Sequence, residues 1–267
     1  MAELSLLGLS DPPFSLSPDP RYFYLSSQHR TTLSKTTYVI EQRQGLSVVF
    51  GDVGLGKTSV ARRLYQIHQD REDCSVAYIP TPHYKSAFQF LRGICTEFGI
   101  ETKGYGETAS LSALQTFLLD ALTLDRYVVL IIDEAQLLVG PQFELLRQLL
   151  NFELADRKLL QIVLLGQNQL RNKLRLKRAL ESRLATRSTL DPLDFPDTRA
   201  MIEFRLLVAG RRQPLFTEAA LRRIFDYSRG IPREICRLGL NLLPVAADAG
   251  VTVIDAGLVD QVADGLR

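Results

Sequence analysis

Residues 51–58, GDVGLGKT, constrain this chain more than any other segment. They match the pattern G-x-x-x-x-G-K-[ST] in full, follow the short apolar run 46–50, and precede an apolar-periodic helix predicted over residues 58–68. This strand, loop and helix order suits phosphate binding, because the loop and the helix N-terminus direct backbone N–H groups at phosphate oxygens. The segment, hereafter the phosphate loop, therefore predicts a site for ATP.

Two side chains of the phosphate loop have predicted roles of their own. Lys57 is expected to reach the β and γ phosphates, and the Thr58 hydroxyl is expected to ligate Mg²⁺. The other predicted nucleotide contacts are Gly51, Asp52, Val53, Gly54, Leu55, Gly56 and Ser59. The alternative, a simple glycine-rich turn, does not account for the flanking strand and helix.

A second acidic element follows the buried run YVVLII, where the chain continues as Asp133, Glu134, Ala135 and Gln136. We predict that Asp133 positions Mg²⁺ and that Glu134 polarises the attacking water. Adjacent acids at a strand end are often only solvated, but beside a full phosphate loop they indicate ATP hydrolysis. A small-molecule kinase is disfavoured because it has no need of the second acid.

The chain alternates short apolar runs with helical patterns, which predicts a parallel sheet covered on both faces, an α/β P-loop NTPase fold in three layers. The strand signal fades after Asp191-Pro192, and a small helical lid domain is expected there, with Thr217 and Asp255 as N-caps. The predicted domains are an arm packing near the nucleotide at 1–30, the α/β domain at 31–192 and the lid at 193–267. The predicted strands are 46–50, 75–79, 127–132 and 161–165.

Composition limits where the protein works and what it binds. Thirty-two basic and 30 acidic residues nearly balance, so only local basic patches would bind a phosphate backbone. Three widely spaced cysteines favour a reducing cytoplasm. The N-terminus lacks a basic signal-peptide region, and the longest apolar run falls well short of the roughly 20 residues of a membrane span. We expect a cytoplasmic protein without membrane insertion.

Five blocks occur in a characteristic order along the chain: PFSLSPDPRYFYLSSQHR, GDVGLGKTS, LIIDEAQLL, LLRQLLNFE with KLLQIVLLGQNQLR, and SRGIPREICRL. In these blocks nearly the whole chain resembles the bacterial ExeA/GspA-type AAA+ ATPases, a group close to the transposition ATPases of the TnsC, TniB and MuB kind. The resemblance implies an ATPase that uses ATP and Mg²⁺ and is cytoplasmic in a bacterium.

The resemblance implies further roles. Gln167 is similar to a sensor 1 residue, or alternatively caps a helix, and Arg233 is similar to sensor 2, or is a surface arginine. Arg183 is favoured over Arg178 and Arg187 as an arginine finger supplied to a neighbouring subunit, the alternative being a solvated helix face. A finger in trans implies a homo-oligomer, either a ring or a helical filament.

The first block resembles the family segment that lies near the adenine. Tyr24, His29 and Arg30 would then contact the base or its pocket. The alternative, that the aromatic residues here are core anchors, is equally open.

Two functions are compatible with this family. The favoured one is a regulator of transposition that binds double-stranded DNA without sequence specificity, recruits a transposase or target-selector protein, and disassembles on hydrolysis. Its predicted DNA contacts are Lys85, Thr102, Lys103 and Tyr105, with solvated loop lysines as the alternative. The other function is an ExeA-like ATPase of secretion or pilus assembly, which we expect less because the chain stops at the lid, at position 267.

Overall fold

The computed structural model describes residues 5–17, 19–102, 104 and 106–266. The chain groups into two compact units. The sheet unit comprises residues 29–53 and 57–190, and the helical unit comprises residues 1–28, 54–56 and 191–267.

The sheet unit alternates strands with helices along most of its length. Its strands are β1 (Leu46–Gly51), β2 (Cys74–Ile79), β3 (Tyr127–Ile132), β4 (Leu160–Gly166) and β5 (Leu184–Leu190). Its helices are α1 (Ser27–Glu41, which starts two residues before the unit), α2 (Lys57–Gln69), α3 (Ala87–Glu97), α4 (Glu107–Thr123), α5 (Gly140–Leu149), α6 (Asn168–Arg175) and α7 (Arg178–Glu181). A short 3₁₀ helix, Ala135–Leu137, follows the two acids.

The five strands form one parallel sheet in the order β2-β3-β4-β1-β5. Every residue of β1 and β4 is buried, as expected for central strands covered on both faces. The main core of the unit combines these strands with apolar side chains from the helices, including Leu91, Leu118 and Phe143. The predicted α/β P-loop NTPase fold with a parallel three-layer sheet is confirmed.

One strand was not predicted. The segment Leu184–Leu190, for whose Arg187 the sequence left a solvated helix face as the alternative, pairs with β1 as strand β5. It is an edge strand that mixes exposed, half-buried and buried residues, so it lacks the continuous apolar run by which the other strands were recognised. Arg187 consequently lies on a strand and not on a helix face.

The helical unit contains α8 (Phe195–Val208), α9 (Glu218–Ser228), α10 (Pro232–Asp248) and α11 (Ala256–Asp264). Thr217 accepts a hydrogen bond from the N–H of Ala220, and Asp255 accepts one from the N–H of Leu258. Both predicted N-caps are therefore confirmed.

The N-terminal arm belongs to the core of the helical unit. Phe14 is fully buried, with its ring 6.2 Å from that of Phe216. Arg205 on α8 is buried, and its guanidinium donates hydrogen bonds to the carbonyls of Pro13 at 2.6 Å and Tyr22 at 2.9 Å. A planar guanidinium with several donors satisfies carbonyls that would otherwise be buried without partners, so Arg205 fixes the path of the arm.

Across the described parts of the chain, no helix combines the length and apolar character that a membrane crossing requires. The three cysteines are free thiols.

Candidate active site

The strand order of the sheet brings the segments with predicted catalytic roles next to one another. In a parallel sheet all carboxyl ends lie at one edge, and β4 pairs with β3 on one side and β1 on the other. Gln167, immediately after β4, therefore lies between Asp133, immediately after β3, and the phosphate loop that continues from β1.

The phosphate loop depends on glycine at two positions. Gly54 and Gly56 have φ of +85° and +92°, a region that L side chains rarely adopt. A β-carbon at Gly54 would also lie 2.9 Å from Cβ of Arg233. Both positions of the loop therefore require glycine, and glycine-rich turns of this kind are suited to presenting backbone N–H groups to an anion.

Lys57 is the first residue of α2 and is only 5% exposed. Its ammonium donates a hydrogen bond of 2.9 Å to the carbonyl of Asp52. Burial lowers the pKa of Lys57, while the nearby carboxylates of Glu134, Asp133 and Asp52 act to raise it. A buried amine at a helix N-terminus is thus set among acids, where the added negative charge of a phosphate would stabilise its protonated form.

The hydroxyl of Thr58 donates a hydrogen bond of 2.6 Å to Oδ2 of Asp133. Asp133 is 1% exposed, and this burial raises the pKa of its carboxyl, opposed by the hydrogen bonds from Thr58 and from the N–H of Glu134. Two hard oxygen atoms therefore stand side by side at the loop. They fit Mg²⁺, which is commonly held by one or two protein oxygens together with phosphate oxygens and water.

Glu134 has a left-handed backbone, with φ of 50° and ψ of 34°. This conformation costs a residue other than glycine about 1–3 kcal/mol and clusters at functional sites. Its carboxylate oxygen Oε2 accepts hydrogen bonds from Nε2 of Gln136 and, at 3.5 Å, from Nε2 of Gln167. One oxygen of the acid is thus held by two amides.

Gln167 is the N-cap residue of α6, but its side chain makes no capping hydrogen bond and reaches Glu134 instead. Its main-chain N–H donates to Oε1 of Gln136 at 3.1 Å. The next residue, Asn168, donates from Nδ2 to Oδ1 of Asp52 at 2.7 Å. The start of α6 therefore contacts both the phosphate loop and the acid that follows β3.

Gln136 and Asn168 were not singled out in the sequence. Gln136 stands in the quoted DEAQ block and is 5% exposed, and a polar residue directly after two acids was the available signal. Asn168 gave no signal, because its contact with Asp52 joins positions far apart in the chain.

In the helical unit, the main-chain N–H of Arg233 donates to the carbonyl of Gly54 at 3.3 Å. The Arg233 side chain is exposed and makes no hydrogen bond or ion pair with any described residue.

Tyr24, one of the three residues predicted near the adenine, donates its hydroxyl to Asp197 at 2.9 Å and packs its ring against Phe204. Tyr24 thus contributes to the core of the helical unit.

The two other residues predicted near the adenine lie on α1 of the sheet unit. His29 is 4% exposed and Arg30 is exposed.

The three candidate finger arginines lie on different elements. Arg178 begins α7, is exposed, and has no hydrogen bond or ion pair among the described residues. Arg183 is half-buried and donates to the carbonyl of Arg147 at 2.7 Å. Arg187 on β5 is exposed and pairs with Glu181 at 2.6 Å. Arg178 is therefore the most available of the three within its own chain, although the resemblance favours Arg183.

Of the predicted DNA contacts, Lys85 is exposed in the segment between β2 and α3, and Thr102 is half-buried. Lys103 and Tyr105 lie outside the described residues.

Comparison with known proteins places the chain in a family. The family model described as an AAA domain matches residues 40–174. General secretion pathway protein A of Aeromonas hydrophila is 40% identical over 231 residues, which is 85% of this chain and 42% of that protein. The chain thus spans less than half the length of this curated relative.

Solved structures of low sequence identity share the fold. The Aeropyrum pernix ORC2 protein has a TM-score of 0.69 at 17% identity, covering 96% of this chain and 71% of that one. Drosophila ORC bound to DNA has a TM-score of 0.69 at 18% identity, covering 98% and 66%. The Thermotoga maritima RuvB Holliday junction branch migration motor has a TM-score of 0.56 at 19% identity, covering 89% and 69%.

Proposed function

Because the chain belongs to the AAA family and is an AAA+ ATPase, we propose that it hydrolyses ATP with the side chains gathered at the carboxyl ends of β1, β3 and β4. The hydrogen bond between Thr58 and Asp133 supports this most directly, since it joins the phosphate loop to the acid after β3. Lys57 would bind the β and γ phosphates. Thr58 and Asp133 would hold Mg²⁺, which when bound neutralises charge on the phosphate oxygens.

In this proposal Glu134 orients the attacking water and accepts its proton. Its Oε2 is already held by amides, so the other carboxylate oxygen is the one to face water. Gln167 would contact the γ-phosphate or the water through the same amide that meets Glu134. Arg233, whose main chain meets Gly54, would act as sensor 2.

We also propose a homo-oligomer in which an arginine of one subunit completes the site of the next. A planar guanidinium neutralises charge that develops on the transferred γ-phosphoryl group, and its release after hydrolysis would loosen the interface. Arg183 remains the preferred finger, with Arg178 as the alternative.

For the biological role, we propose an ATP-driven switch in a general secretion pathway, the role named for the Aeromonas hydrophila relative. The observation that supports it is 40% identity across 85% of this chain, since the three solved structures compared above, at 17% to 19% identity, share only the fold. This reverses the preference drawn from the sequence. The relative is considerably longer, so the activity of its remaining part is not assigned to this chain.

A second candidate is the DNA-binding regulator of transposition, with a transposase or target-selector partner. Lys85 favours it, because the exposed ammonium of this lysine makes no hydrogen bond or ion pair with any described residue. The main chain around Lys85 is held in place, since its own N–H donates to Oε1 of Gln89 at 3.0 Å. The carbonyl of Tyr84 accepts a hydrogen bond of 2.9 Å from Gln142, and the Tyr84 ring packs on Phe90. An ordered loop presenting a cation would suit phosphate contacts without base reading.

A binding experiment separates the two candidates. A fluorescent DNA duplex would be titrated with the protein, with and without a non-hydrolysable ATP analogue, at two salt concentrations, while oligomers are imaged by negative stain. The secretion proposal expects nucleotide-driven oligomers and no DNA binding. Nucleotide-dependent, salt-sensitive DNA binding would overturn it in favour of the transposition candidate.

A matched pair of variants tests whether the segment that carries Lys85, between β2 and α3, contacts DNA. If DNA binds, Lys85→Ala should weaken binding and reduce its salt dependence. Lys35→Ala, which removes an exposed lysine on α1, should not.

A further inference from the structure

We propose that Gln136 is a positioning residue for ATP hydrolysis, holding the Glu134 carboxylate and the start of α6 in one fixed arrangement. The inference rests on the proposed role of Glu134 and assigns a function to a side chain that otherwise has none.

The orientation of the Gln136 amide follows from its partners. The main-chain N–H of Gln167 can only donate, so the atom it meets at 3.1 Å must be the amide oxygen. The other end of the amide is then the NH₂ group, and it donates to Oε2 of Glu134. A single buried side chain therefore links two residues with proposed roles in the reaction through one donor and one acceptor.

The backbone around Gln136 is fixed separately. Lys173 on α6 donates from Nζ to the carbonyl of Gln136 at 2.5 Å and to that of Leu138 at 2.9 Å. These bonds tie the 3₁₀ helix Ala135–Leu137 to α6. With its main chain held and its side chain 5% exposed, Gln136 has little freedom to release Glu134.

The neighbouring glycine makes room for this amide. A β-carbon at Gly166 would lie 2.9 Å from Oε1 of Gln136 and 2.8 Å from Cδ2 of Leu170. Gly166 ends β4 directly before Gln167, so a side chain there would displace Gln136 from both of its partners.

The arrangement has a chemical consequence. An amide that holds Oε2 of Glu134 leaves Oε1 as the oxygen outside these two hydrogen bonds, and restricts the rotation of a side chain that must meet water in one geometry. Oε2 of Glu134 accepts hydrogen bonds from the side-chain amides of Gln136 and Gln167. The Gln136 amide also accepts a hydrogen bond from the main-chain N–H of Gln167, and so holds the main chain of that residue. Gln136 thus sets the relative position of the acid and the proposed sensor.

The test substitutes Gln136→Glu, which keeps the size of the side chain and the acceptor for Gln167 but replaces the donor to Glu134 by a second carboxylate. We expect kcat for ATP to fall about tenfold or more, while KM and the affinity for a fluorescent ATP analogue stay within about twofold. Gln161→Glu is the matched control. Gln161 is a buried glutamine on β4 whose amide is also satisfied at both ends, by the N–H of Gly45 and the carbonyl of Lys158.

A purely structural role for Gln136 would make the two variants alike, each less stable and with unchanged kcat in the folded fraction. That result, or a Gln136→Glu kcat equal to that of the unmodified protein, would overturn the inference. Gly166→Ala supplies an independent test if Gln136→Glu does not fold, since it should lower kcat in the same way without altering a polar group.

Glu134→Gln separates this inference from the proposal beneath it. If Glu134→Gln hydrolyses ATP normally, the proposed role of Glu134 is wrong. If Glu134→Gln is inactive and Gln136→Glu is fully active, only the role of Gln136 is lost.

Discussion

Thr58 and Asp133 share a hydrogen bond of 2.6 Å that connects the first turn of α2 to the end of β3. Thr58→Ala removes the donor and leaves a buried carboxyl without it, and also removes a proposed Mg²⁺ ligand. We expect ATP turnover to fall on the order of 100-fold and the Mg²⁺ concentration for half-maximal turnover to rise. Thr58→Ser retains the hydroxyl and should keep most activity. An unchanged Mg²⁺ dependence in Thr58→Ala would contradict the assignment.

A subunit-mixing experiment tests the arginine finger. Arg183→Ala should bind ATP as a monomer but lose turnover on the order of 1,000-fold, because its neighbours lack the finger. Lys57→Ala should fail to bind nucleotide yet still carry the finger. Mixing these two inactive proteins should restore activity at interfaces where an intact site meets an intact arginine.

The same mixture made with Arg178→Ala distinguishes the two candidates. If the Arg178→Ala protein is inactive alone and recovers with Lys57→Ala, while Arg183→Ala is active alone, the finger is Arg178. Absence of recovery in every mixture would argue against a finger in trans.

Gly230 combines a left-handed backbone with a close approach. Its φ is +72°, and an added β-carbon would lie 1.9 Å from the carbonyl oxygen of Leu193. Gly250 has a similar φ of +63° with no atom nearby, so Gly250→Ala isolates the backbone cost of about 1–2 kcal/mol. Gly230→Ala should lower the free energy of unfolding by clearly more than that, measured by chemical denaturation. Equal losses for the two variants would show that the chain around Leu193 relaxes freely.

His68 should make the protein less stable in mild acid. Burial lowers the pKa of His68, assisted by the nearby Arg71 and opposed by Glu41 and Asp73, and its Nε2 has no hydrogen-bond partner among the described residues. The folded pKa lies below the unfolded value of about 6.5, so the unfolded chain binds more protons as the pH falls through that value. The free energy of unfolding should therefore keep its full value above about pH 6.5 and should decrease as the pH falls below that value.

The control for this prediction is His68→Leu, which removes the titrating group. Its unfolding free energy between about pH 7 and 5 should change less than that of the unmodified protein. Parallel pH profiles for the two would assign the acid sensitivity to other groups.

The sequence was most informative where one short segment determines its own conformation. The phosphate loop, strands β1 to β4 and the N-caps at Thr217 and Asp255 each follow from local pattern, and all were predicted. Strand β5 was missed because its partner β1 supplies the hydrogen bonds, whereas its own residues mix Arg, Ser and Thr with few apolar side chains. Gln136 and Asn168 were missed because their importance lies in partners brought together only by the sheet.

The preference between the transposition and secretion roles changed for a different reason. Lys57 and Glu134 have proposed roles in ATP hydrolysis, but neither residue specifies what the energy is used for. The identity to a secretion-pathway protein across most of the chain decided that preference, which the residues of the site had left open.

The hydrogen bonds from Arg205 to the N-terminal arm have a consequence for the order in which the protein folds during synthesis. Pro13 and Tyr22 leave the ribosome early, whereas Arg205 is made about 190 residues later. Contacts so distant in sequence form late, because a long loop must close before they contribute. We therefore expect the sheet unit to complete its fold first during translation, with the arm taking its final place only after α8 has been synthesised.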